Sequence, residues 1–193
     1  MRWLRRVLLL DRHTCPWWLA YGFDNPLRRL IHDPARILGG LVQEGQTAVD
    51  IGCGLGFFSL ALARLVGSHG RVISIDVQPE MLERAGRRAR RRGLHERIEF
   101  RPCEPDELGL QDRVDFALAF WMVHEVADPE AFLAEVRSAL TPRGHFLLAE
   151  PKVHVPAPRF RETVELASAS GFEVLGTPRI SLSRAVLLGP GEL

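Results

Sequence analysis

Charge of one sign, cysteine pairs and long apolar runs are all missing from this chain. The formal net charge over 193 residues is +1, so nothing in the overall electrostatics selects nucleic acid or an acidic membrane as the main partner. Cys15, Cys53 and Cys103 are odd in number and form no C-x-x-C pair, which argues against a disulfide framework and a zinc module and fits a reducing cytoplasm. His13 and Cys15 stand two apart, too little for a metal site, and no metal is expected. No stretch approaches the roughly 20 apolar residues of a spanning helix. The basic-then-apolar start RWLRRVLLL is too short for a signal core and is expected to pack on the domain, with contact to a membrane surface as the alternative. Lysine is nearly absent, Lys152 standing against many arginines, which reflects residue usage rather than function.

With 46% hydrophobic residues the chain can bury one sizeable core, and a second large domain is not expected. Residues 1–45 carry three of the four tryptophans (Trp3, Trp17, Trp18) and the single tyrosine, Tyr21. They read as an N-terminal helical extension, with Asn25-Pro26 and Asp33-Pro34 each placing a capping side chain ahead of a proline suited to the first turn. Helices are expected over 26–31 and 34–42. Residues 46–193 read as one α/β domain. Apolar strands are expected at 47–51, 71–76, 97–101, 114–120 and 145–150, and helices at 57–65, 79–92, 129–140 and 160–169. Two last apolar runs, 172–175 and 180–188, lack a helix between them and should pair antiparallel. The result is a Rossmann-like open sheet, mostly parallel, with an antiparallel C-terminal hairpin strand and helices on both faces. Ligands of such sheets bind beyond the carboxyl ends of the strands.

The stretch TAVDIGCGLGFF, residues 47–58, joins the first strand to its helix through Gly52, Gly54 and Gly56. Glycine at alternate positions permits positive φ and close approach of a ligand to main-chain N–H groups. Asp50, two residues ahead, would repel a pyrophosphate and attract an ammonium or sulfonium. Phe57 stands where a dinucleotide fingerprint requires its third glycine. Both features favour S-adenosylmethionine over NAD. Asp76, twenty residues past Gly56 at the end of the second strand, can accept hydrogen bonds from both ribose hydroxyls.

VDIGCGLG (49–56) and SIDVQPEML (74–82) resemble the first two motifs of the class I S-adenosylmethionine-dependent methyltransferases, in particular the small-molecule group that includes ubiquinone-biosynthesis-type enzymes. AFWMVHEV (119–126) looks like the fourth-strand motif and LTPRGHFLLAE (140–150) like the turn and strand after it. The resemblance covers about residues 45–188. It implies a cofactor site of Asp50, Gly52, Cys53, Gly54, Gly56, Asp76, Val77 and Phe120, with S-adenosylhomocysteine as product and a small molecule as methyl acceptor. It also implies adenine contacts from Cys103 and Glu104, with Asp106 as the fallback. The segment before the first strand would be a lid, in which Tyr21 supplies a hydroxyl near the methionine end. His124 is the candidate catalytic base or acceptor-positioning residue, the alternative being that it bonds a neighbouring backbone group.

Three rivals remain open on sequence alone: an NAD-linked oxidoreductase, a non-catalytic cofactor-fold partner, and an RNA methyltransferase using the arginines of residues 84–97. In that run Glu80 precedes Arg84 and Glu83 precedes Arg87 by four, the order that pairs charges along a helix, so a solvated face is expected and nucleic acid is not. The oligomeric state is not legible.

Overall fold

A computed structural model describes residues 26–191, and Tyr21, Trp17 and Trp18 lie outside them. At its centre β1 (Thr47–Ile51) runs parallel to β2 (Arg71–Asp76) on one side and to β4 (Val114–Phe120) on the other. Ala48 through Ile51 are all buried, as expected of a strand covered on both faces and therefore written as a nearly continuous apolar run. β3 (Ile98–Pro102) extends the sheet beyond β2. On the far side come β5 (Leu140–Pro151), β7 (Ser183–Pro190) and β6 (Phe172–Gly176), giving the order β3-β2-β1-β4-β5-β7-β6. β7 is antiparallel to both β5 and β6, so the expected hairpin forms and its second strand inserts between its first and β5.

Helices cover both faces. α1 (Pro26–Ile31) and α2 (Pro34–Leu38) precede the sheet, followed by α3 (Ser59–Leu65) and α4 (Pro79–Arg91). Leu38, Leu60, Leu62 and Ala89 from this group pack with Ala48, Val72, Phe116 and Leu118. On the opposite face α5 (Pro129–Ala139) and α6 (Ala157–Ala169) bring Phe132, Leu133, Val136 and Ala167 against Val49, Ile51, Phe146 and Leu148. The aspartate-proline starts behave as read: Asp33 accepts from the Ala35 N–H (3.1 Å) and Asp128 from the Ala131 N–H (3.0 Å). Gly93, at φ +65°, closes α4 while the Leu94 N–H bonds back to the Ala89 carbonyl.

Several boundaries move for identifiable reasons. α2 ends at Leu38 rather than 42, because Gly39 leaves helical dihedrals and Gly40 takes φ +81°. α3 starts at Ser59, so Phe57 and Phe58 belong to the glycine turn. Leu140, apolar at helical spacing, leaves α5 and opens β5 opposite Val114; residues 141–144 then bulge out before His145 meets Phe116. α6 begins at Ala157, three residues before the expected 160, because Pro156 caps it and Pro158 fits its first turn. The connection from β5 is correspondingly shorter. No described helix is long and apolar enough to cross a membrane.

Candidate functional site

The three glycines of the first turn have separate tasks. All hold positive φ: +68° at Gly52, +53° at Gly54 and +75° at Gly56. A Cβ on Gly52 would stand 2.9 Å from Met122 Cγ, and one on Gly56 would stand 3.1 Å from Ala85 Cβ, so these two admit the neighbouring chain. A Cβ on Gly54 would meet nothing within 4 Å. The turn is strapped to β2: the N–H groups of Gly52 and Cys53 both bond the Ile75 carbonyl (2.8 and 3.0 Å). Cys53 is buried, so what it offers a ligand is backbone.

Asp76, buried at the end of β2, continues the strap. Its Oδ2 accepts from the Gly54 N–H (2.8 Å) and its Oδ1 from the Gln78 N–H (2.9 Å). An ionised carboxylate has about four acceptor positions, so these bonds leave room for two hydroxyls. Burial raises the Asp76 pKa against the two N–H bonds that lower it. Val77, next in the chain, is half-buried.

Asp50 does not present its charge openly to the ligand loop. It is buried beneath the turn, where Ser59 Oγ donates to its Oδ2 at 2.5 Å and ties β1 to the first residue of α3. Burial pushes its pKa up to about 7; the Ser59 bond and the Arg28 charge oppose the shift, and the Asp76 charge adds to it. Arg28, from α1, lies over the Phe57 ring with its guanidinium carbon 4.4 Å from the centroid. Sequence reasoning passed over Arg28, whose only signal was a basic residue following the Asn25-Pro26 helix start.

The raised Asp50 pKa has a sign that can be tested. The folded state holds this proton more tightly than the unfolded chain, so stability is lost as pH rises from about 4 through about 7 and levels off above that. Three pKa units correspond to on the order of 4 kcal/mol. Asp50→Asn keeps an acceptor for Ser59 and removes the titration. Urea unfolding between pH 5 and pH 8 should show the native protein losing more stability than this variant; parallel profiles would contradict the assignment.

At the end of β3, the Cys103 N–H bonds the Asp76 carbonyl (3.3 Å), which sets Cys103 beside the acid. Burial, with the charges of Asp76, Glu135 and Glu104, pushes its thiol up to about 12. Glu104 and Glu107 close a tight turn through paired backbone bonds of 3.1 and 3.4 Å, and the side chains of Glu104 and Asp106 are exposed. Glu135 of α5 pins the rest of this loop, accepting from the N–H groups of Leu108 and Leu110 at 2.9 Å each. Its role as a loop anchor was not legible, because it reads as an ordinary polar position of an amphipathic helix.

Beyond β1 lies an aromatic group. Phe120, buried at the end of β4, sits 4.5 Å from Phe58 and 5.6 Å from Trp121 between ring centroids. His32, between α1 and α2, meets Phe120 and Trp121 edge-on at 5.2 and 4.9 Å, and its Nε2 reaches the Ser181 carbonyl at 2.8 Å. Burial lowers its pKa, so it is a neutral strut. Trp121 holds φ +63°, uncommon for a bulky side chain, fixed by its N–H to the Ala149 carbonyl (2.7 Å) and its Nε1–H to Ser183 Oγ (2.9 Å).

The strained residue leads into the short 3₁₀ turn Val123–Glu125, which carries His124 to the carboxyl edge of the sheet. There Nδ1 lies 2.5 Å from Glu150 Oε2, and the His124 backbone N–H donates to Glu150 Oε1 at 3.2 Å. The expected alternative, a bond from the imidazole to a backbone group, is replaced by a bond to a carboxylate. Glu150 was read only as a strand end. Its signal was an acid closing an otherwise apolar strand.

The arginine run is partly committed to the fold. Arg88 donates to the Leu55 carbonyl in the glycine turn (2.6 Å), Arg97 donates to the Ala63 carbonyl (3.3 Å), and Arg87 pairs with Glu83. No group of three or more metal-ligating side chains occurs among the described residues.

A family model described as a methyltransferase domain matches residues 43–175. The chain is 31% identical over 162 residues to a ubiquinone biosynthesis O-methyltransferase of Methylobacterium sp. (strain 4-46), covering 75% of this chain and 62% of that protein. It is 45% identical over 53 residues, 28% of its length, to a 23S rRNA (uracil(1939)-C(5))-methyltransferase of Acinetobacter baumannii (strain AB0057), covering 12% of that protein. The chain thus spans less than two thirds of these curated relatives. Among solved structures, a SAM-dependent methyltransferase from Aquifex aeolicus superposes with a TM-score of 0.81 at 26% identity, covering 91% of this chain and 98% of that one.

Proposed function

The chain belongs to this methyltransferase-domain family, and we propose that it transfers a methyl group from S-adenosylmethionine to a hydroxyl of a small-molecule acceptor. The observation that carries the reading is the open side of Gly54 beside Asp76, whose carboxylate both pins the turn and keeps acceptor capacity. When bound, S-adenosylmethionine supplies a methyl group on a sulfonium, which an acceptor atom takes by in-line displacement. The chain's own part is to bind, align and exclude water.

In this reading Gly52, Cys53, Gly54 and Gly56 offer backbone to the cofactor and Asp76 takes the ribose hydroxyls. Val77 and the Cys103–Glu104 backbone border the adenine, and Phe120 supports the wall beside the turn. Asp50 and Arg28 supply opposite charges near the methionine end, where a cationic ligand would favour the ionised form of Asp50. A pyrophosphate would instead meet two buried acids and Phe57, which disfavours NAD. The first residues of the chain, with Tyr21, would act as a lid. In support, Arg28 and His32 from the described part of that extension already reach the Phe57 and Trp121 rings.

The small-molecule acceptor is favoured over RNA because Arg88 and Arg97 are occupied by backbone carbonyls, and because no aromatic residue interleaves the run to stack on bases. The Methylobacterium relative's description as an O-methyltransferase supports oxygen as the accepting atom. Incubation with labelled S-adenosylmethionine and either a panel of phenols and catechols or ribosomal RNA separates the two readings. Labelled methyl ethers are expected from the panel; label in RNA alone would reverse the assignment.

A further inference from the structure

We propose that Glu150 is the positioning residue that makes His124 a general base, a step that rests on the methyl-transfer reading above. The two residues come from neighbouring parallel strands: His124 follows the end of β4, and Glu150 lies near the end of β5, paired with β4 through Phe120↔Ala149. Glu150 is 1% exposed in a position where the strand otherwise buries apolar side chains. A buried carboxylate persists where it is paired and hydrogen-bonded. Here its two oxygens are divided between the backbone N–H and Nδ1 of one residue, so both the position and the ring orientation of His124 are set by the same group.

The consequence concerns the tautomer. An ionised carboxylate only accepts hydrogen bonds, so Nδ1 carries the hydrogen and Nε2 keeps its lone pair. Glu125 Oε1 lies 3.9 Å from Nε2, past hydrogen-bond reach, and the His124 side chain is 15% exposed. Among the described residues, His154 lies with its ring centroid 5.9 Å from that of His124, and the Arg159 guanidinium donates to the His124 carbonyl at 3.1 Å.

In the transfer step the acceptor hydroxyl gives its proton to His124 Nε2. Its oxygen uses the freed electron pair to form the new O–CH₃ bond. The C–S bond breaks with its pair remaining on sulfur, so the products are a methyl ether, a neutral thioether and one proton. The proton is held on an imidazolium facing the Glu150 carboxylate until it passes to water.

Glu150→Gln is the test, because it preserves shape and inverts the donor pattern. With its oxygen on the backbone N–H, the amide NH₂ faces Nδ1, which must then accept, and the hydrogen moves to Nε2. In the S-adenosylhomocysteine complex, ¹⁵N NMR of the histidines should show His124 as the Nδ1–H form in the native protein and as the Nε2–H form in the variant. With catechol as probe acceptor, kcat should fall about 100-fold, the usual scale of general-base loss, while S-adenosylhomocysteine affinity stays within twofold. His124→Gln should lose as much, and the double variant no more than either alone.

An Nε2–H form in the native protein, or turnover of Glu150→Gln within threefold of native, overturns the proposal. If Glu150→Gln fails to fold, the native tautomer still decides. Absence of S-adenosylhomocysteine binding to the native protein would instead sink the methyl-transfer reading, and the His124 tautomer would then be read on the ligand-free protein.

Discussion

Asp76→Ala is expected to weaken S-adenosylhomocysteine binding at least about 100-fold while leaving the protein folded. Two losses act together. The ribose hydroxyls lose a charged acceptor, and hydrogen bonds to charged groups contribute about 1.5–3 kcal/mol each, so two of them correspond to roughly a hundredfold or more. The Gly54 and Gln78 N–H groups also lose the carboxylate that orients them, so the glycine turn is no longer pinned at 2.8 Å to the end of β2. Asp76→Asn should fall between alanine and native, since one side-chain atom must then be a donor facing an N–H. Calorimetric titration measures all three; equal affinity for native and alanine proteins would remove Asp76 from the site.

Gly54→Val is expected to abolish detectable cofactor binding with only a modest cost in stability. At Gly52 or Gly56 a side chain would strike Met122 or Ala85, and fold and ligand effects would be mixed. At Gly54 nothing stands within 4 Å of the new Cβ, so the added atoms meet no protein neighbour and, in the proposed reading, enter the space that the ligand would take. Only the positive φ of +53° charges the fold itself, at roughly 1–2 kcal/mol for a non-glycine residue. Urea unfolding and titration on the same sample check both halves. Native-like binding would mean that the open side of Gly54 is not the ligand side.

What the sequence made legible is what local chemistry determines. β1 reads correctly because a strand buried on both faces must be apolar from Ala48 to Ile51, apart from Asp50. The starts of α2 and α5 follow from Asp33-Pro34 and Asp128-Pro129, and the end of α4 from Gly93. The hairpin of β6 and β7 follows from two apolar runs with no helix between them, although its insertion beside β5 does not. Leu140 was assigned to a helix because its spacing fits one; its pairing with Val114 across the sheet overrides that spacing. Ala157 joins α6 because prolines at its start are tolerated there, and proline count alone suggested a loop.

The site divides in the same way. Asp50 and the glycines share one short stretch, and Asp76 closes the next strand twenty residues past Gly56, so all were found together. Ser59, which holds Asp50, belongs to the same short stretch yet looks like any helix-start serine. Glu135, Glu150 and Arg28 act on residues 25 to 27 positions away or on another element entirely, and their partners become visible only in the folded chain. An acid closing an otherwise apolar strand is the one readable trace of Glu150. The Asp50 carboxyl is a further case: its position was legible, and its burial under Ser59 was not.

Side-by-side calorimetric titration of the native protein with S-adenosylhomocysteine and with NAD tests the central claim most directly, because both ligands carry an adenosine and differ in what the glycine turn must accept. One S-adenosylhomocysteine should bind per chain and NAD should give no binding heat at the same concentrations. Binding of NAD in preference to S-adenosylhomocysteine, or no binding of S-adenosylhomocysteine, would contradict the account.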